Sequence, residues 1–188
     1  MANTLGNQSV RSISGPFRAD ITLAFQILIL FAAGFGAVVL HARFRNPIGI
    51  PGHHGLEFMA LAVATALSFR FRLRGVIFAL GAGSALFLPF IGFTDPFAEI
   101  VFMLPAIILC LLADAFRVGG KAGALLLFAF GGLAYMAIPL SRLAIHATTG
   151  FPYKSLLMNP FYTTFMHFAF GVAGTILGYS IYQGLKRL

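Results

Sequence analysis

Five histidines, His41, His53, His54, His146 and His167, share this sequence with Glu57, Asp95, Glu99 and the internal methionines Met59, Met103, Met136, Met158 and Met166. Imidazole with carboxylate is a donor set for nickel, cobalt or zinc, and imidazole with thioether suits copper. In an apolar setting the same groups serve as hydrogen-bond partners and charge complements for a small polar ligand. Spacing leaves both chemistries open: there is no His-x-x-x-His pair, and the lone Cys110 offers neither a second thiolate nor a disulfide partner. His53, His54 and His167 are the candidate metal ligands, and a transition-metal ion is the one cofactor these residues admit. His53, His54, Glu57, Glu99, His146, Tyr153 and His167 are the candidate solute-binding residues, with Phe161 adding aromatic packing beside Tyr153. Plainer uses stand beside these. Glu57 and Glu99 suit helix openings, where the dipole favours a carboxylate; methionine fills irregular cores; and His167 can be a neutral imidazole bonded to a neighbouring helix. A bis-histidine haem site from His41, His146 and His167 would need a geometry that the spacing does not demand.

The sequence carries no Gly-x-x-x-x-Gly-Lys-Ser/Thr phosphate loop, no Gly-x-Ser-x-Gly and no His-Glu-x-x-His. A nucleotide-driven pump is therefore not encoded in this chain, and with no converging nucleophile and base the expectation is a protein that is not an enzyme. Lys and Arg number 13 against 5 Asp and Glu, a formal net charge of +8. In a soluble domain that excess would point to nucleic acid. Here 59% of residues are apolar, 10% are charged and mean hydropathy is +0.91, whereas soluble domains have roughly 25% charged residues. The basic excess thus reads as the charge that orients membrane helices, with lipids rather than nucleic acid as its partner.

Membrane helices must position the candidate residues. At about 20 apolar residues per span, apolar runs fall at Ile21 to His41, Leu56 to Phe69, Gly75 to Phe93, Phe97 to Phe116, Ala122 to Ser141 and Phe161 to Leu185. The runs lack the strict alternation of barrel strands, so the expected class is an all-α integral membrane protein, a compact bundle of six transmembrane helices. The second run is short, so its helix begins within Gly52 to Gly55 or is shielded from lipid by its neighbours. The first run exceeds a signal-peptide core of about 7 to 15 residues and reads as a retained helix. Residues 1–20 read as a flexible cytoplasmic lead, and residues 21–188 as a single membrane domain.

Six spans put both termini on one side. That side carries Arg11, Arg18, Arg70, Arg72, Arg74, Arg117, Lys121, Lys186 and Arg187, and the other carries Arg43, Arg45, Arg142 and Lys154. The bias places both termini in the cytoplasm of a bacterial-type plasma (inner) membrane. All five histidines then fall at the outer end, as do the five methionines, Glu57, Asp95 and Glu99. Asp114, an inner carboxylate, is spaced to pair with Arg117 one turn later. The stretch Asn46-Pro-Ile-Gly-Ile-Pro-Gly-His-His-Gly55 has the glycine and proline content of a loop that folds into the bundle mouth. Ala33 and Ala37, with Ala32/Gly36, Gly81/Ala85 and Gly171, Gly174 and Gly178, form small-residue faces suited to close helix packing or to another membrane subunit. Arg70, Arg72 and Arg74 suit anionic lipid heads or a cytosolic partner.

This layout resembles the substrate-capturing S components of energy-coupling factor (ECF) transporters. The resemblance rests on the six-helix plan with both ends inside, on Ala33-x-x-x-Ala37, and on the glycine-rich last helix Met166-His-Phe-Ala-Phe-Gly-Val-Ala-Gly-Thr-Ile-Leu-Gly178 followed by Lys186-Arg187. It implies capture of a small, vitamin-like or metal nutrient at the outer end, with uptake driven by a separate coupling protein and cytosolic ATPase subunits. Metal-binding members carry a histidine next to the initiator methionine, and here the start is Met1-Ala2-Asn3. Two other classes stay open: a non-catalytic accessory subunit of a larger membrane complex, and a transition-metal-handling membrane protein.

Overall fold

The computed structural model describes residues 16–43, 50–69, 71–92, 94–116 and 120–187. Among them the chain forms helices and no strand. The order is α1 (Pro16–Arg43), α2 (Gly55–Ser68), α3 (Arg74–Leu86), a short 3-10 turn (Pro89–Ile91), α4 (Ala98–Ala115), α5 (Gly120–Thr149), α6 (Lys154–Met158) and α7 (Pro160–Leu185). The all-α class read from the hydropathy pattern is the one observed. Thr22–Arg43, Ala98–Ala115, Gly123–Thr149 and Pro160–Leu185 are each long and apolar enough to cross a membrane. The shorter α2 and α3 have 14 and 13 residues, rising only about 20 Å each against a hydrocarbon core of about 30 Å.

Neighbours run α1, α3, α4, α5, α7, α2 and back to α1, and α2 also touches α3, α4 and α5. Helix α2 thus packs against every other long helix, with Phe58, Met59 and Val63 wholly buried. A helix so covered has its side chains satisfied by protein, and its short length leaves little backbone facing lipid. The periphery is the reverse: Phe25, Leu28, Ile100, Leu111 and Leu125 are all exposed. A soluble protein rarely leaves so much apolar surface in water, while lipid accepts it.

Small residues set the helix spacing. Gly34 of α1 lies on the Phe78 carbonyl of α3, and Gly81 of α3 lies reciprocally on the Phe31 carbonyl of α1. Gly174 and Gly178 of α7 rest on backbone carbonyls of Gly55, Leu56 and Ala60 in α2. Ala33 and Ala37, expected to face another subunit, are used inside the chain instead: Ala37 is fully buried and Ala33 packs on the core. The close approach of α3 thus takes up Gly34 and Ala37, while Ala32 is exposed and Gly36 has open space beside it.

Several boundaries differ from those read in the sequence. Helix α1 begins at Pro16, so residues 16–20 of the expected lead are helical, and residues 1–15 lie outside the described residues. Helix α3 stops at Leu86, short of Phe93, because Pro89 lacks the N–H needed to continue and opens a 3-10 turn instead. Helix α5 continues past Ser141 to Thr149 and ends at Gly150, whose φ of 72 is a left-handed helix stop. The expected loop from Arg142 to Pro160 is thus largely helical.

At the end of the bundle away from the histidines, Asp114 pairs with Arg74; Arg117, its expected partner, lies outside the described residues. Antiparallel packing of α3 on α4 brings the first residue of one beside the last turn of the other. Arg74 also donates to the Phe71 carbonyl at 3.1 Å. It is therefore an internal clamp, Arg72 is exposed, and Arg70 lies outside the described residues.

Candidate functional site

The end of α1, the starts of α2, α4 and α7, and the later half of α5 meet at one end of the bundle. The loop before α2 enters this mouth. Gly52 has a φ of 80, and a Cβ there would stand 2.9 Å from the His167 Cα, so only glycine lets the loop run along the α7 backbone. The turn is closed by Gly55 N–H donating to the Gly52 carbonyl at 2.8 Å. It leaves His54 at the N-cap of α2 and seats Gly55 on the Tyr135 ring.

Beneath the loop lies a cavity of about 310 Å³, lined by His41 of α1, by Pro51, Gly52 and His54 of the loop, and by Phe102 of α4. Tyr135, Ile138, Pro139 and Arg142 of α5, Tyr153, Leu156 of α6, and Thr163 and His167 of α7 complete the wall. The α5 residues recur at i, i+3, i+4 and i+7 and the α7 pair at i and i+4, so each helix turns a single stripe inward. The volume lies at the lower end of small-molecule sites, which span about 300 to 1,000 Å³.

Two polar groupings face each other across the wall. In the first, His54 Nδ1 bonds Glu57 Oε1 at 3.0 Å and His53 Nδ1 bonds the Ile50 carbonyl at 2.6 Å. His41, His54 and His53 form a row, with ring centroids 4.0 Å apart for the first two and 3.8 Å for the last two. His41 meets Phe102 edge-on at 5.0 Å. His167, stacked on Tyr135 at 5.3 Å, bonds the Thr163 carbonyl through Nδ1 at 2.7 Å. Carbonyl and carboxylate accept but never donate, so these partners put the proton on Nδ1 of His53, His54 and His167 and leave Nε2 as an acceptor.

In the second grouping, Asp95 Oδ2 accepts from Arg142 Nε at 3.2 Å and Nη2 at 3.0 Å. Its Oδ1 accepts from the Tyr153 hydroxyl and from the Phe97 N–H, each at 3.0 Å. Arg142 also lies over the Tyr153 ring, 5.5 Å from its centroid. Asp95 thereby ties the start of α4, the end of α5 and the loop before α6 together. Burial, the hydrogen bond to Asp95 and the Asp95 charge push the Tyr153 phenol from 10.0 up to about 12, against a smaller opposing pull from Arg142. A phenol raised in this way favours the fold most below its ordinary value, and that contribution is lost as pH climbs through about 12. Subtracting the ultraviolet pH titration of a Tyr153→Phe variant from that of the wild type is expected to leave one phenol ionising near 12; a midpoint at the ordinary 10.0 would contradict the Asp95 bond.

Of the residues singled out in the sequence, His54, Tyr153 and His167 line the cavity. His53 and Glu57 contact His54 from behind. His146 and Glu99 do not join the lining. His146 bonds the Phe151 carbonyl at 2.8 Å and fixes the loop that carries Tyr153, and Glu99 sits in the opening turn of α4. Phe161 is exposed. The trio His53, His54 and His167 does not converge as a metal set: the donors that gather are those of His41, His54 and Glu57, all within 4.8 Å of one another. Arg142 and Tyr135 are site residues that the sequence reading missed, and His41 and Asp95, placed at the outer end, were not among its solute-binding candidates. Tyr135 and Arg142 are seven apart on one α5 face, a signal that depends on extending that helix past Ser141. Compared with models of known families, with characterised proteins and with solved structures, the chain matches none.

Proposed function

We propose that this chain is the solute-binding membrane subunit of a transporter, taking up a small planar polar molecule at the end of the bundle that holds the histidines. The observation that carries the reading is the cavity itself, lined by the loop at Pro51 and Gly52 and by aromatic rings, imidazoles and one guanidinium. Imidazole Nε2 acceptors on His54 and His167 call for N–H or O–H groups on the solute, and Arg142 calls for a carbonyl or carboxylate. The aromatic side chains that line the wall suit a flat heterocycle. A vitamin-like nitrogen heterocycle has these features. In this reading six helices span the membrane, α2 and α3 do so within the shelter of the longer four, and both termini are cytoplasmic as the basic residues favour. The cavity then opens outward. Energy for uptake comes from separate coupling and ATPase subunits, as in the ECF transporters that the sequence layout resembles.

The test is thermal unfolding of the detergent-solubilised chain against a panel of small heterocycles with and without a carboxylate. One class is expected to stabilise the fold, by about 2.7 kcal/mol at a hundredfold excess over Kd. Arg142→Gln should weaken that ligand at least about tenfold through the lost charge-assisted bond, while Leu125→Ala on the lipid face leaves it unchanged. A panel without any shift, or a shift indifferent to Arg142→Gln, would overturn the reading.

A further inference from the structure

We infer that His41, His54 and Glu57 form a binding site for a divalent first-row transition-metal ion in the cavity wall. Their donor atoms lie within 4.8 Å of one another. Donors bonded to one ion at about 2.0 to 2.2 Å stand about 3 to 4 Å apart, so small side-chain rotations close the set. The pair His54 Nδ1 and Glu57 Oε1, at 3.0 Å, already has the spacing of two neighbouring ligands. An ion entering there takes the place of the proton that His54 Nδ1 donates to Glu57: that proton moves to Nε2 of the same ring, and the carboxylate becomes a ligand.

Two imidazoles and one carboxylate give the N2O set that zinc, cobalt, nickel or ferrous iron accept, with coordination positions left over. Both His41 and His54 line the cavity, so the remaining positions open into it. The set comes from the last turn of α1 and the first turn of α2, joined through the Gly52 turn. His53 supports rather than ligates: its ring lies 3.8 Å from that of His54 and its Nδ1 is held on the Ile50 carbonyl. Arg142 is neutralised by Asp95 on the other wall, which leaves Glu57 as the carboxylate available to the ion.

The test is titration of the untagged full chain in detergent with Co2+, read by ligand-field absorption, with competition by Zn2+. One saturable ion per chain is expected. His54→Ala and Glu57→Gln should each weaken the ion about 100-fold, while His146→Ala leaves it unchanged. Glu57→Gln keeps a side-chain acceptor for His54 and guards against a folding defect, as does an unchanged melting temperature. Absent saturation, or a signal that survives both substitutions, would overturn the site. Because Co2+ is read without any heterocycle present, failure here leaves the solute reading standing, and the converse holds.

Discussion

Asp95→Asn is expected to destabilise the fold by about 2 kcal/mol and to weaken solute capture with it. The carboxylate accepts from Arg142, Tyr153 and the Phe97 backbone. An amide keeps one oxygen and turns an N–H pair toward a guanidinium that cannot accept. Removing one partner of a fully buried ion pair costs about 3 to 5 kcal/mol. Here the Arg142 and Asp95 side chains are 24% and 13% exposed, so water offsets part of the loss and the lower figure follows. Denaturant unfolding of Asp95→Asn, Arg142→Gln and the double variant would measure it. The coupling between the two residues is expected at about 1 to 2 kcal/mol, and additive effects would contradict the described network.

Gly52→Val is expected to be at least as damaging, at about 3 kcal/mol, through two separable causes. A φ of 80 lies in the left-handed region, which costs an ordinary residue about 1 to 2 kcal/mol and a β-branched one more. The new Cβ would also stand 2.9 Å from the Cα and 3.0 Å from the N of His167, and backbone atoms do not give way as a flexible side chain does. Gly150, with a φ of 72 and open space around it, isolates the first cause: Gly150→Ala should cost about 1 kcal/mol by strain alone. Comparing Gly52→Ala with Gly150→Ala by thermal unfolding then gives the contact contribution. Equal effects would mean that the loop does not lie on α7.

Hydropathy made the helices legible because an apolar run of some 20 residues has few other uses. It misjudged their ends, where local chemistry decides: Pro89 stopped α3 early, while α5 accommodated Pro139 and ran on past Ser141 to the stop at Gly150. That extension hid Arg142, which reads as a loop charge until α5 carries it onto the face of Tyr135. The Gly-Pro loop was legible as one that folds inward, since Gly52 and Gly55 permit close approach, and these two glycines do lie on α7 and Tyr135, while residues 46–49 lie outside the described residues. The pairing of the histidines was not. His53 and His54 are adjacent in sequence, yet the turn into α2 puts only His54 beside His41 and Glu57. Helix neighbours separate Asp95 from Arg142 by 47 positions, and no local spacing encodes that contact. Likewise the antiparallel packing of α3 on α4 gives Asp114 a partner 40 positions away, Arg74.

The most direct test of solute capture is native mass spectrometry of the chain released gently from its own membrane. A retained small molecule that is not a lipid, at one per chain and lost in Arg142→Gln, is the predicted result. A bare chain, or one carrying only lipid, in both the wild type and the variant would contradict the account.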